Sequence, residues 1–470
     1  MIPVNPPIDD RQPCTRQITG NLSKISTMHS LIEKYNYEVP RYTSYPVITQ
    51  WQDQLDATSW ASQVVQQLAG HSKLSLYLHL PFCESLCTYC GCNKHITTNH
   101  QVEEPYLEAI LKEWQMYTSL LGEKPTISEL HLGGGTPTFF SPSNLKTLIE
   151  GLFSEGVKRS EEAAFSFEAH PSSTTEDHLT TLAKLGFGRI SIGVQTFDEE
   201  ILRIIHRFQT TEQVYAVVKK ARETGYDSIN FDLIYGLPKQ NLDDIYRNMD
   251  HVSQLMPERI AFYSYAHVPW TAPSQRAYDE NDLPLGEEKR TLYEKGKELL
   301  LDLGYEEIGM DHFALPGDQL SKARQGGFLN RNFMGYTDLA SDNMLGLGVS
   351  SISELGKAYH QNVKTLKEYY TYIENAHLPT LRTHLLSKEE YQTKKTIKNL
   401  MCQLKHVDVS GSVIRDEDTF REMQEDGLVI QTAIGWEITE KGLPFIRNIA
   451  ACFDPYYQRK REVKQFSSAI

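Results

Sequence analysis

Four of the chain's seven cysteines fall within ten residues, in the run Tyr77-Leu-His-Leu-Pro-Phe-Cys83-Glu-Ser-Leu-Cys87-Thr-Tyr-Cys90-Gly-Cys92-Asn-Lys94. Thiolates at Cys83, Cys87 and Cys90 have the spacing CxxxCxxC, and three sulfurs on one short loop can hold three irons of a four-iron, four-sulfur cluster. Such clusters usually take four cysteines. With three, the remaining iron is open to a small-molecule ligand. A structural zinc site built from Cys83, Cys87, Cys90 and Cys92 is the competing reading, although zinc sites more often use two separated knuckles. Cys92 is either a spare thiol beside the cluster or a ligand in place of one of the other three. Cys14, Cys402 and Cys452 are isolated, and ordinary packing or exposure accounts for them.

Other residues could bind a charged organic ligand. Gly133-Gly-Gly-Thr136 lets backbone N–H and C=O groups approach a ligand closely, although a tight turn explains glycines equally well. Asp232 stands between Phe231 and Leu233 in an apolar run, and a buried carboxylate needs hydrogen-bond partners; ribose hydroxyls or a sulfonium would serve. Gln195 could read an adenine edge or tie down a loop. Glu168 read alone is as compatible with the surface as with a site, and Arg207 read alone is a solvated charge.

Elements must hold these residues in place. The apolar run 74–80 reads as a buried strand leading into the cysteine loop. Further candidate strands at 127–132, 164–169, 189–194, 228–235, 259–265 and 306–310 alternate with amphipathic stretches at 103–121, 143–153, 176–185, 199–207, 211–223, 243–255 and 287–303. Ser141-Pro-Ser, Thr174-Thr-Glu and Thr210-Thr-Glu supply helix starts. The expected class is α/β, a partial TIM-type (β/α) barrel, with an open doubly wound sheet as the competitor. The cysteine loop, the glycine strip, Glu168, Gln195, Asp232 and Ala266-His267 then come from six consecutive strands, mostly at the carboxyl-end rim where such barrels work.

Beyond residue 352 the rhythm stops. Helices at 363–375, 389–404 and 415–426, a strand–turn–strand at 427–439 and a last helix at 440–452 give a mainly helical, winged-helix-like domain, read as a lid over the barrel mouth. Its composition is not basic enough for DNA. The organisation expected is an N-terminal arm with a tyrosine-rich segment over 1–58, the barrel over 59–358 and the lid over 359–470. The first ~25 residues read as a poorly ordered arm. The segment from Lys34 to Pro46 packs as an aromatic strap or lines a flat apolar ligand.

Charged residues make up 23% and hydrophobic residues 40%, the balance of a soluble globular chain. A net charge of −14 argues against nucleic acid and requires local cations for any anionic substrate. No apolar run reaches the ~18–20 residues that span a bilayer, and the N-terminus lacks the features of a signal peptide. The odd, clustered cysteines fit a reducing, cytoplasmic setting.

These segments together resemble the oxygen-independent coproporphyrinogen III oxidases, radical S-adenosylmethionine enzymes of haem biosynthesis. The resemblance rests on Lys34–Pro46, Tyr77–Lys94, Gly133–Thr138, Gly193-Val-Gln195, Asp232–Lys239, Tyr265-Ala-His267, Gly309–Ala314, Asn330–Tyr336 and Gly346–Ile352. The Cys-Gly-Cys-Asn-Lys run and the tyrosine segment speak against the related haem-chaperone paralogue, which binds haem without decarboxylation.

The resemblance implies that Cys83, Cys87 and Cys90 ligate a 4Fe-4S cluster. It implies that Tyr77, Gly134, Glu168 and Ile352 contact S-adenosylmethionine on that cluster. Tyr89, Gly135, Thr136, Gln195, Arg207, Asp232 and Ala266 match the contacts of a second S-adenosylmethionine. The implied reaction is oxidative decarboxylation of the ring A and B propionates of coproporphyrinogen III to the vinyl groups of protoporphyrinogen IX. A low-potential donor such as flavodoxin or ferredoxin supplies the electron, and the chain is expected to be monomeric. Arg41, Lys94 and Arg331 are candidates for holding propionates. Two departures stand out: His170 where the family commonly has aspartate, and a C-terminal Phe466-Ser-Ser-Ala-Ile without the arginine some members carry. Tyr89 replaces a frequent phenylalanine.

Overall fold

Alternation of buried and cavity-facing residues organises the main sheet. In Ser228–Tyr235, Phe231 and Leu233 are fully buried, while Asn230 and Asp232 turn to the opposite face, as period-two geometry requires. The structure is a computed structural model that describes residues 30–52, 56–68, 73–154, 156–270, 272–339, 343–403, 413–432 and 435–457. Cys14, the first 29 residues of the arm and Phe466-Ser-Ser-Ala-Ile lie outside the described residues.

Strands β1 (Lys73–Leu80), β2 (Thr126–Gly134), β3 (Lys158–Ala169), β4 (Phe187–Gln195), β5 (Ser228–Tyr235) and β6 (Arg259–Ser264) pair in parallel, each with the next in chain order. That order never reverses among these six, which fits a barrel and not the switch point of a doubly wound sheet. The helices between them start as the sequence suggests. Ser141 caps Pro142–Leu152, and Thr175 and Thr210 form capping boxes at Glu176–Lys184 and Thr211–Thr224.

The expected seventh βα strand is corrected. β7 (Glu306–Gly309) turns back through Met310 into β8 (His312–Ala314), and β8 pairs antiparallel with both β7 and β6. Short apolar runs carry no mark of parallel or antiparallel pairing, so the sequence could not distinguish them. The seventh parallel strand is β9 (Asn343–Leu347), added to the other side of β1. Three further strands, β10 (Ile352–Leu355), β11 (Ala358–Asn362) and β12 (Thr380–Leu385), extend that edge antiparallel and complete a 12-stranded sheet. The sheet thus continues past residue 358, in a stretch the sequence reading gave to loop and helix.

A second core joins the two ends of the chain. Tyr35, Val39, Tyr42 and Tyr45 pack with Ile397, Met401, Phe420, Phe445, Ile449 and Phe453. Tyr35 meets Phe445 edge-on with centroids 5.4 Å apart, and Asn448 Nδ2 donates to the Tyr35 carbonyl at 2.9 Å. The tyrosine segment is therefore a strap, bound to helices Lys388–Gln403 and Ile446–Ala451.

Candidate active site

β1 ends at Leu80, and Pro81 leads into the cysteine loop. Phe82, fully buried against Tyr106, Phe139 and Phe140, anchors the loop at its start, and polar bonds hold the rest. Phe82–Cys83 pairs with His95–Ile96. The Thr88 N–H donates to the Ile205 carbonyl at 3.0 Å, and Ser274 Oγ and Gln275 Nε2 donate to the carbonyls of Thr88 and Tyr89, each at 3.1 Å. Lys94 Nζ donates to the Cys90 carbonyl at 3.0 Å, so this candidate propionate ligand braces the loop.

The glycine strip seats the loop from the other side. The Gly135 and Thr136 N–H groups donate to the Leu80 and Phe82 carbonyls at 2.8 and 2.9 Å. A Cβ on Gly135 would stand 2.5 Å from the Pro81 carbonyl, and one on Gly134, at φ 112°, would stand 2.7 Å from the His79 ring. Only glycine fits this approach of two backbones, a reason for the strip that the sequence reading missed.

Cys83, Cys87 and Cys90 line one cavity of about 280 Å³. Thr136 Oγ1 donates to Cys83 Sγ at 3.2 Å and Arg207 Nη1 to Cys87 Sγ at 3.6 Å. The neighbouring thiols of Cys90 and Cys92 act on each other, drawing Cys90 below the ordinary thiol range and pushing Cys92 above it. Burial pushes Cys83 up to about 11. Three thiols around a shared cavity, two of them receiving hydrogen bonds, fit a cluster in which each sulfur meets a different iron.

The strand ends supply the rest of this cavity. Glu168, at the end of β3, accepts the Gly134 N–H at 3.1 Å, with His131 Nε2 3.6 Å away. Gln195 closes β4 at φ 67°. Asp232, on β5, accepts from Ser191 Oγ at 3.0 Å and Asn230 Nδ2 at 2.9 Å. Burial, with the charge of Glu168 adding, raises its pKa to about 6. Arg207 is 6% exposed and not a solvated charge. It donates to the Gly193 carbonyl, to Gln209 Oε1 at 2.8 Å and to the Tyr89 hydroxyl at 3.2 Å. A Cβ on Gly193 would stand 2.9 Å from Arg207 Nη2.

A neighbouring cavity of about 610 Å³ shares Cys92, Gly134 and Glu168 with the first and takes Tyr77 and Ile352 into its wall. The Tyr77 hydroxyl bonds His79 Nδ1 at 3.0 Å, and His79 Nε2 meets the Asn93 carbonyl at 2.8 Å. Burial holds His79 below its ordinary value, hence neutral. Ala266 lines neither of these cavities; its carbonyl accepts the Gln275 amide at 3.2 Å, the group that also holds Tyr89. His79, His131, Ser191, Asn230 and Tyr263 face these walls or bond groups that do, and the sequence reading missed them. Period two was the available signal, since His79 is in phase with Tyr77 and Asn230 with Asp232.

Residues 77–252 match the Radical SAM superfamily. The oxygen-independent coproporphyrinogen III oxidase of Synechocystis sp. is 36% identical over 469 residues, covering 96% of this chain and 100% of that protein. The Escherichia coli K12 enzyme of the same name is 36% identical over 451 residues, covering 94% of this chain and 98% of that one. This chain belongs to the oxygen-independent coproporphyrinogen III oxidase family. A solved structure, coproporphyrinogen III oxidase from Escherichia coli described as a radical SAM enzyme, superposes with a TM-score of 0.84 at 35% identity, covering 89% of this chain and 98% of that one.

The Tyr89 hydroxyl is used, as an acceptor for Arg207. His170 lines the first cavity, and its Nδ1 accepts from the Ser172 N–H at 3.2 Å. Burial, with Arg207 nearby, pulls its pKa down to about 2, so the imidazole is neutral. Arg41 is ion-paired to Asp311, and Arg331 Nη1 donates to the Arg41 and Tyr42 carbonyls at 3.4 and 3.3 Å.

Proposed function

We propose that this chain catalyses the anaerobic oxidative decarboxylation of the ring A and B propionates of coproporphyrinogen III to give protoporphyrinogen IX. The observation that carries the reading is the convergence on one cavity of the three CxxxCxxC thiols with Glu168 and Gln195 from strand ends, Asp232 from within β5 and Arg207 from the loop after helix Glu199–Ile204. Cys83, Cys87 and Cys90 hold the 4Fe-4S cluster. When bound, the cluster and S-adenosylmethionine would supply the radical chemistry able to take hydrogen from the propionate β-carbon, with the electron released on loss of carbon dioxide passing to an external one-electron acceptor.

The chain's own residues bind, orient and shield. Glu168 and the Gly134 backbone receive the amino group of one S-adenosylmethionine, with Tyr77 and Ile352 beside it. Tyr89, Gly135, Thr136, Gln195, Arg207, Asp232 and Ala266 serve a second, with Ala266 acting through its backbone. Buried Asp232 meets positive charge or ribose hydroxyls, and the positioned ligands supply the proximity that radical transfer needs. The strap and helices Lys388–Gln403, Glu417–Glu425 and Ile446–Ala451 cover the barrel mouth and keep water out, and the sheet that runs on past residue 358 to β12 carries the chemistry. The protein works as a cytoplasmic monomer fed by flavodoxin or ferredoxin; no helix among the described residues is long and apolar enough to cross a membrane.

Anaerobic reconstitution with iron and sulfide, followed by product analysis with coproporphyrinogen III, S-adenosylmethionine and a reductant, tests this. Protoporphyrinogen IX with consumption of S-adenosylmethionine is the expected outcome. Bound haem with untouched coproporphyrinogen would replace the reading with a chaperone.

A further inference from the structure

Glu113 is a fully buried carboxylate that the chemistry above does not use. It stands on helix Glu103–Leu120, on the face whose other members, Tyr106, Leu107, Ile110, Trp114 and Tyr117, belong to the main core. Such a face ordinarily carries apolar side chains, and a buried carboxylate is costly unless its oxygens are bonded. Three donors converge on this one. Glu113 Oε2 accepts the Gly348 N–H at 2.8 Å and the Tyr369 hydroxyl at 2.7 Å, and Oε1 accepts from Asn362 Nδ2 at 2.7 Å. Even against these bonds, burial pushes its pKa up to about 7. A carboxylate accepts all three, whereas an amide in its place would turn its NH₂ toward a donor.

The partners belong to the turn between β9 and β10 and to the elements behind it. Ser350, Ser351 and Ile352 of that turn line the 610 Å³ cavity, as does His79 at the end of β1. Gly348 is held twice more, since its carbonyl accepts from Asn362 Nδ2 and from Ser351 Oγ, each at 2.8 Å. Two helical turns before Glu113, the Tyr106 hydroxyl accepts the Val349 N–H at 3.0 Å and donates to the His79 carbonyl at 2.7 Å. Two consecutive N–H groups of the turn are thus held by side chains of one helix. The turn needs holding: Ser350 sits at φ 61°, a left-handed conformation that costs a residue with a side chain energy and persists only where its surroundings impose it.

We propose that Glu113 is a positioning residue for S-adenosylmethionine, its carboxylate fixing the turn that presents Ser350, Ser351 and Ile352 to the molecule on the cluster. Glu113 itself lines neither cavity. The proposal rests on the functional reading above, which puts Ile352 beside that ligand. The alternative is a structural anchor that only fastens helix Glu103–Leu120 to the sheet. An anchor's removal lowers stability and leaves ligand affinity unchanged in the molecules that fold.

The test uses the full-length, anaerobically reconstituted protein. Equilibrium dialysis measures S-adenosylmethionine affinity, iron and sulfide content measure the cluster, and denaturant unfolding measures stability. Glu113→Gln keeps the side chain's size and removes one acceptor. It is expected to weaken S-adenosylmethionine about tenfold, the scale of one hydrogen bond to a charged group. Iron content stays as in the wild type, and KM for S-adenosylmethionine rises while kcat is held, the mark of lost binding and not of lost chemistry. Tyr369→Phe removes a single donor and leaves the ring in the core, so it folds even if Glu113→Gln does not; about threefold weakening is expected. Wild-type affinity in both variants, with stability alone reduced, would overturn the positioning role. So would a fall in kcat with KM and affinity unchanged. A wild type that assembles its cluster and binds no S-adenosylmethionine overturns the functional reading itself, and this proposal with it.

Discussion

The cysteine loop and the strap core solve opposite problems. The loop's three cavity-lining cysteines span positions 83 to 90, and backbone and polar bonds leave their sulfurs facing that cavity. The strap core is apolar and closed, and it unites residues as far apart as Tyr35 and Asn448, 413 positions along the chain. Beyond Phe82, which is buried in the main core, the loop's geometry depends on polar partners such as the glycine strip and Gln275. The strap gains almost everything from burial, at roughly 1.5–3 kcal/mol for each large side chain, and takes no part in cluster binding. Chemistry and cover are therefore separable by mutation.

The strongest way to break that comparison is Cys87→Ser. It should eliminate the cluster and reduce turnover to background while the strap core unfolds as before, read by iron and sulfide content beside thermal unfolding. Full activity in this variant would end the radical reading. Phe445→Ala is the converse. Removing a fully buried ring from the second core should cost about 3–5 kcal/mol, seen in denaturant unfolding, with iron content per folded molecule unchanged. Arg207→Met removes the cation that holds Cys87 and Tyr89. A roughly 10–100-fold loss of turnover with the fold intact is expected, as for other groups that orient a metal's ligands.

A subtler effect concerns pH. Asp232's folded pKa is raised to about 6, so burial favours its protonated form. The stability this contributes is complete below the unfolded value and disappears as pH rises through about 6. A ligand that needs the carboxylate behaves the other way, binding well above pH 6 and losing affinity as pH falls through it. Equilibrium binding of S-adenosylmethionine between pH 5 and 8 should show that step by a few-fold, roughly, and Asp232→Asn should flatten it. The smallest effect is expected from Thr136→Val. Loss of the bond to Cys83 should lower the cluster potential by a few tens of millivolts, about the one-electron equivalent of a ~1 kcal/mol hydrogen bond. Potentiometric titration reads it.

How much was legible follows the same division. The cysteine spacing, Asp232 between two apolar neighbours, the capping residues and the first six strands could be read directly, because each is encoded in contiguous residues. Arg207 read as a solvated charge and proved buried, because its partners Gly193 and Tyr89 come from two other elements. Lys94 and Arg331, two of the candidates for holding propionates, each brace backbone carbonyls as well, contacts that no short segment announces. His79 and His131 were missed although strand alternation placed them on the cavity side.

By itself the sequence determined a three-thiol loop after the first of a series of βα strands, and residues of the right types at the strand ends. Tertiary structure alone decided that β8 folds back antiparallel between β6 and β7, that β9 to β12 extend the far side of β1, and that the tyrosine strap belongs to the C-terminal helices. Local bonding and period-two alternation are written in neighbouring residues. Strand partners, and the apolar surfaces that meet across hundreds of positions, depend on which of many similar hydrophobic faces pack best, and no short segment specifies that choice.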